Sequence, residues 1–135
     1  MWAISLYQGS LTYDNFMRER WGVLQFLRPT QVELVPILGQ NSGKLMDKAG
    51  YCSETGFPWV EVPQETLGAP VKVDVIPGCA AYMTIRMINF QPAGDHDLAV
   101  CKVMGVAGYP VEGNESGGGE TEVLRTQYLR EIGMI

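Results

Sequence analysis

The stretch from residue 79 to residue 107 reads "CAAYMTIRMINF" (79–90), "QPAGDH" (91–96) and "DLAVCKVMGVA" (97–107). Two long runs rich in β-branched, aromatic and aliphatic residues flank a Gly-containing polar turn, which is the pattern of a β-hairpin. Along a strand successive side chains point to opposite faces. Tyr82, Thr84, Arg86 and Ile88 therefore share one face, and Ala81, Met83, Ile85 and Met87 share the other. Apolar residues stand on both, so both faces are expected to be at least partly covered, as in a barrel.

Before this hairpin, "VKVDVI" (71–76) alternates as a further strand. At the front of the chain "WAISLY" (2–7) has strand composition and runs into the turn-forming "YQGS" (7–10). The spacing of Tyr13, Phe16, Met17 and Trp21 predicts a short helix, with Thr12 as its N-cap and Gly22 as its terminator. "VLQFLR" (23–28) reads as a second strand stopped by Pro29, which has no N–H for a ladder. In "PTQVELVPILG" (29–39), Thr30 and Glu33 have capping-box spacing, Val32, Val35 and Leu38 line one side, and Pro36 makes any helix short or kinked. "EGNESGGGETE" (112–122) is expected to be a polar loop. "VLRTQYLREIGMI" is expected to form a short C-terminal helix that docks through Leu124, Tyr128, Leu129 and Ile132.

A chain of 135 residues with 46% apolar content has the size of one globular domain, taken as residues 1–135. Ten basic residues are dispersed among fifteen acidic ones, giving a formal charge of −5, so no broad positive field for a phosphate backbone forms. Nucleic acid is not an expected partner. "MWAISLY" is too short and too poorly flanked for a secretory signal, and no run approaches a membrane span, so a cytoplasmic protein with no membrane partner is expected. Cys52, Cys79 and Cys101 are odd in number and widely spaced. They read as reduced, mostly buried thiols rather than a disulfide framework or a zinc site.

Two places carry chemistry. In "QNSGKLMDKAG" (40–50), Ser42, Gly43, Lys44 and Lys48 join a flexible turn to two cations, which can hold an anion between backbone N–H groups and an ammonium. The spacing is not that of a P-loop, and composition alone favours a solvated loop. The other place is His96, the single histidine, between Asp95 and Asp97. A metal role is poorly supported, since no second His or Cys lies nearby at ligand spacing. A polar turn residue and a group lining a pocket both stay open.

The order of these elements resembles the flavin reductase-like, FMN-binding split-barrel family. "AISLYQGSLTYDNF" (3–16) is similar to that family's strand, Ser-x-x-Thr loop and helix. "GVLQFLRPTQVELVPILGQNSGKLMDKAG" (22–50) resembles its next strand and helix, followed by a Ser-Gly-(Lys/Arg)-x-x-Asp-Lys turn. "LGAPVKVDVIPGCAAYMTIRMINFQPAGDHDLAVCKVMGV" (67–106) resembles its Ala-Pro entry and Gly-Asp-His turn. The resemblance implies a mainly β split barrel with a few short helices. It implies a homodimer holding FMN or FAD near the subunit interface, and hydride transfer from NAD(P)H to that flavin. A flavin-binding or structural barrel without turnover of its own is the alternative.

By the same resemblance, Gly9, Ser10 and Thr12 would contact the ribityl-phosphate side of the flavin, and the Ser42 turn with Lys44 and Lys48 would hold the phosphate. His96 would be the candidate catalytic group beside the flavin or nicotinamide. Hydride transfer needs two closely stacked rings rather than a strong acid or base, so its expected part is positioning and electrostatic. Met1 falls almost at the start of a strand that follows earlier strands in the family. The resemblance thus implies a barrel without its usual N-terminal strands, whose open edge a dimer partner could cover.

Overall fold

The computed structural model describes residues 1–108 and 122–135. Its main sheet is antiparallel, with strand order β1-β6-β5-β2. β1 is Trp2–Tyr7, β2 Trp21–Phe26, β5 Ala81–Ala93 and β6 His96–Ala107. A second, two-stranded sheet pairs β3 (Val60–Val62) with β4 (Val73–Val75). The hairpin is longer than the sequence suggests, because Gln91–Ala93 and His96 continue the strands and only Gly94 and Asp95 turn. Gly94 takes a φ of 71° at the first central position of this two-residue turn, a conformation that glycine adopts without strain.

Two irregularities bend the hairpin. The register shifts between Thr84 and Ile85, where Met104 is the extra residue on β6, and between Met87 and Asn89, where Ile88 is the extra residue on β5. Each bulge increases local twist and curvature, and the sheet curls into half a barrel. One face of the curl packs on Leu34, Cys52, Leu67, Val75, Ile76 and Cys79 through Tyr82. The other buries Leu6, Phe16, Ile85, Met87, Ala99 and Cys101 together. The expectation that both faces are covered holds from Ala81 to Ile85; Arg86 is exposed, Met87 is buried, and from Ile88 to Ala93 the strand is exposed.

α1 (Leu11–Glu19) shows where local chemistry outweighs spacing. Its N-cap is Ser10 rather than Thr12, because the Ser10 hydroxyl accepts from the Tyr13 amide at 3.0 Å. Its end is made by Arg20, which adopts a φ of 64°, so Gly22 is free to sit inside β2 and Trp21 starts that strand. A Cβ at Gly22 would stand 3.2 Å from the Phe16 ring, so glycine there lets the helix pack closely on the strand.

The Pro29–Gly39 segment splits into a 3₁₀ turn at Pro29–Gln31 and a π-helical turn at Pro36–Gln40. The reciprocal cap closes on Gln31 rather than Glu33: the Gln31 side chain accepts from the Arg28 amide, and the Gln31 amide donates to the Arg28 carbonyl. Neither β3 nor α3 (Gln64–Leu67) is signalled by periodicity, since each is shorter than a full period can reveal. α2 (Lys48–Glu54) is capped by Asp47, whose carboxylate accepts from the Gly50 amide. α4 (Thr126–Glu131) forms where expected, but only Leu124 and Leu129 of the four docking residues are partly buried; Tyr128 and Ile132 are exposed. Apart from Glu122, the stretch 112–122 lies outside the described residues.

All three cysteines are free and buried. Burial pushes the Cys79 and Cys101 thiols up, which keeps them protonated and unreactive. Among the described residues, no helix is long and apolar enough to cross a membrane.

Candidate functional site

The sheet, α1 and the Ser42–Lys48 turn enclose a cleft of about 710 Å³. One wall is the β1–α1 connection, with Tyr7, Gly9, Ser10 and Thr12; the other is the run from Leu38 to Ala49, and Trp59 completes it. The β1–α1 turn is tight. Ser10 donates its hydroxyl to the Tyr7 carbonyl at 2.8 Å, and a Cβ at Gly9 would stand 2.6 Å from the Tyr7 ring. A helix leaves its first amides without intrahelical partners. Ser10 takes that of Tyr13, and Leu11 and Thr12, the other residues of the first turn up to it, line the cleft.

On the opposite wall Gly43 lies against Leu11, where a Cβ would meet Leu11 Cδ2 at 3.0 Å, so a glycine brings the two walls close. The Ser42 hydroxyl accepts from the Lys44 amide at 3.2 Å and shapes the turn. Lys48 donates from Nζ to the Leu38 carbonyl at 2.5 Å, and with three donors on its ammonium it can serve a further acceptor. Asp47 and Lys48 are the charged residues of the lining, and Asp47 is engaged in capping α2.

Gly9, Ser10, Thr12, Ser42 and Lys48 are thus brought together around one cleft. Lys44 is not in its lining; its Nζ lies 2.7 Å from Asp14 Oδ2, in an ion pair that ties the turn to α1. His96 is also outside the lining. It pairs across the sheet with Tyr7, its ring 5.4 Å from the Tyr7 ring and tilted by 51°. Its Nδ1 is 2.7 Å from Asp95 Oδ1, a hydrogen bond that lowers the Asp95 carboxyl below its usual range. Among the described residues no group of three His, Cys, Asp or Glu is placed to hold a metal.

Three residues beside the cleft, Gln8, Tyr13 and Asp97, carry no functional reading from the sequence. Asp97 is buried, and accepts from Gln8 Nε2 at 2.9 Å and from the Tyr13 hydroxyl at 2.8 Å. The hydrogen bond to Asp97, with partial burial and the charges of Asp97 and Asp14, pushes the Tyr13 phenol above its usual range. Tyr13 therefore stays a donor at neutral pH. No sequence signal marks Asp97, because both phases of β6 carry apolar residues and the spacing does not tell which of them is inside.

A model of the flavin reductase-like domain matches residues 1–118. The chain belongs to the flavin reductase-like family. The split-barrel fold of this family is also what the solved structures share with it. Flavoredoxin from Methanosarcina acetivorans superposes with a TM-score of 0.63 at 13% identity, over 80% of this chain and 52% of that one. The FMN-binding protein from Thermus thermophilus, solved with bound 1-cyclohex-2-enone, gives 0.59 at 25% identity, over 77% and 51%. The NADH:FAD oxidoreductase from Streptomyces globisporus C-1027 gives 0.59 at 15% identity, over 80% and 58%. This flavin reductase-like chain spans little more than half the length of these proteins. No match was found among curated proteins.

Proposed function

We propose that the protein binds FMN in the cleft, with FAD as the alternative cofactor, and passes hydride from NAD(P)H to it. The observation that carries this reading is that two segments far apart in sequence, Gly9–Thr12 and Ser42–Lys48, form facing walls around one cation, Lys48. The cleft fits such a ligand. Its volume lies within the roughly 300–1,000 Å³ of small-molecule sites. Leu11, Leu38, Met46 and Trp59 offer apolar surface, and hydroxyls and amides offer polar contacts at one end. Lys48 and the first-turn amides of α1 would hold the phosphate, and the Ser10 and Thr12 hydroxyls the ribityl side. A bound flavin would supply the ring that accepts hydride. Tyr7 bounds the cleft on the side of His96, so His96 would act by orienting that wall.

The test is the absorbance spectrum of the purified protein before and after FMN is added, followed by NAD(P)H oxidation with FMN present. Flavin bands that shift on mixing and a nicotinamide oxidation rate above that of free FMN are expected. Binding without oxidation would leave a flavin-binding module and remove the reductase.

His96→Ala should lower the rate at saturating FMN about ten- to a hundredfold, or about 1.4–2.7 kcal/mol, and leave the fold intact. The side chain is 42% exposed at the end of the hairpin, so its loss leaves the core unchanged. A saturated rate equal to the parent's would make the Gly-Asp-His turn purely structural.

Assembly as a homodimer, with the flavin near the subunit interface, belongs to the same proposal. It is supported by the exposed Ile88, Phe90 and Leu98 on the outer part of the hairpin. Among the described residues β1 is also an outer strand of the sheet, with one edge left to pair. Light scattering at micromolar concentration should give twice the chain mass; a stable monomer would remove this part of the proposal.

A further inference from the structure

The Gly9–Thr12 wall of the cleft is short, polar and largely exposed, and it has little apolar packing of its own. α1 is held to the body by buried Phe16, with Tyr13 and Met17 packed against the same cluster, and Asp14 in its first turn is paired with Lys44. Two hydrogen bonds tie the start of this segment to the sheet itself. Gln8 and Tyr13 flank the wall on its two sides, and both donate to the same side chain: Gln8 Nε2 to Asp97 Oδ1 at 2.9 Å, and the Tyr13 hydroxyl to Asp97 Oδ2 at 2.8 Å. We propose that Asp97 is the positioning residue of the cleft, its two carboxylate oxygens each holding one end of the segment that would contact the flavin.

The cost of this arrangement points the same way. Asp97 is 2% exposed. Among the described residues no cationic side chain forms an ion pair with it. A buried carboxylate without a counter-ion is expensive, and its strand neighbours in the same inward phase, Ala99 and Cys101, fill their places with small apolar side chains. An apolar residue would close the sheet face at lower cost. What it could not do is accept two hydrogen bonds from two different parts of the chain. A carboxylate is acceptor-only on both oxygens, and it meets here two side chains that can donate. The Gln8 backbone N–H adds a third tie to the same hairpin end by donating to the Asp95 carbonyl at 3.0 Å. The residues around His96 thus fix the β1–α1 turn from below, while His96 itself packs on Tyr7.

This inference rests on the flavin reading of the cleft, and its test separates the two. Amide hydrogen exchange over residues 8–14 is measured without ligand, and FMN affinity by fluorescence quenching, for the parent, Asp97→Ala, Asp97→Asn and Tyr13→Phe. Asp97→Ala should speed exchange over residues 8–14 while Lys48–Glu54 stays as in the parent, and should weaken FMN about tenfold, the loss of roughly one hydrogen bond to a charged group. Asp97→Asn should recover most of both effects, because its carboxamide oxygen still accepts from one partner while its NH2 donates to the other, either Gln8 with its side-chain amide turned over or Tyr13 with its hydroxyl rotated. If Asp97→Ala does not fold, Tyr13→Phe carries the same comparison with a smaller loss, about threefold. Unchanged exchange at residues 8–14 in Asp97→Ala and Tyr13→Phe would overturn the positioning role. Faster exchange with unchanged FMN affinity would also overturn it, since the segment held would not be the one that binds. A parent that binds no FMN would remove the flavin reading alone, and the exchange measurement would still decide whether Asp97 holds the segment.

Discussion

Ile85→Ala is expected to lower the unfolding free energy by about 2–5 kcal/mol, the range for truncating a buried aliphatic side chain. Ile85 is fully buried on β5, an inner strand, paired with Gly22 on one side and Val103 on the other. Leu6, Phe16, Met87, Ala99 and Cys101 pack in the same cluster, and they come from β1, α1 and both arms of the hairpin. A void there is bounded by a ladder on each side, so the surroundings cannot collapse into it. The measurement is a urea titration with an unchanged slope and a lowered midpoint. Ile88→Ala is the control. Ile88 lies three residues further along the same strand, is bulged out and is 59% exposed. In dilute protein it should change stability by less than about 0.5 kcal/mol. Equal losses at the two positions would mean that the bulge does not separate inside from outside as described.

The second large effect is expected at Lys48. Lys48→Met keeps an apolar stem and removes the ammonium, and FMN binding should weaken by about 1.5–3 kcal/mol, the worth of a hydrogen bond to a charged group. Riboflavin, which lacks the phosphate, should lose far less. Lys44→Ala should have the smaller effect on FMN, because Lys44 is already paired with Asp14 and stands outside the cleft lining. Titration of both ligands into each variant checks this. A larger loss at Lys44 than at Lys48 would mean that the Asp14 ion pair opens to deliver Lys44 to the phosphate. Equal losses for FMN and riboflavin at Lys48 would place its charge away from the phosphate.

The hairpin was legible because its arms are long and its composition is β-rich over many residues; a signal of that length survives local exceptions. The same holds for β1 and α1, where a Gly-Ser turn marks the boundary, whereas α2 and its Asp47 cap come from the structure. Short elements were not legible. β3 and α3 are too brief for periodicity, and they exist because β4 and the core offer partners that a linear reading does not contain. Cap identity was missed for a related reason. Ser10 and Thr12 are both capable N-caps, and the choice fell to the one that the Tyr7 turn brings under the Tyr13 amide.

The resemblance to the flavin reductase-like family implied the Gly9–Thr12 loop, whereas the sequence by itself determined that the chain forms a long two-arm β-hairpin with short helices and marked the Ser42–Lys48 turn as a candidate anion loop. These follow from residue type and near-neighbour spacing, which are properties of a local stretch. The tertiary structure alone decided which phase of the hairpin is inside. On β6 both phases carry apolar residues, Leu98 and Val100 on one and Ala99 and Cys101 on the other, so period two cannot choose between them. The choice was made by Leu6, Phe16 and Ile85, which pack with Ala99 and Cys101 in one buried cluster and so turn Asp97 inward. It also decided that Lys48 rather than Lys44 faces the cleft, because Asp14, on a helix distant in sequence, claims the nearer cation.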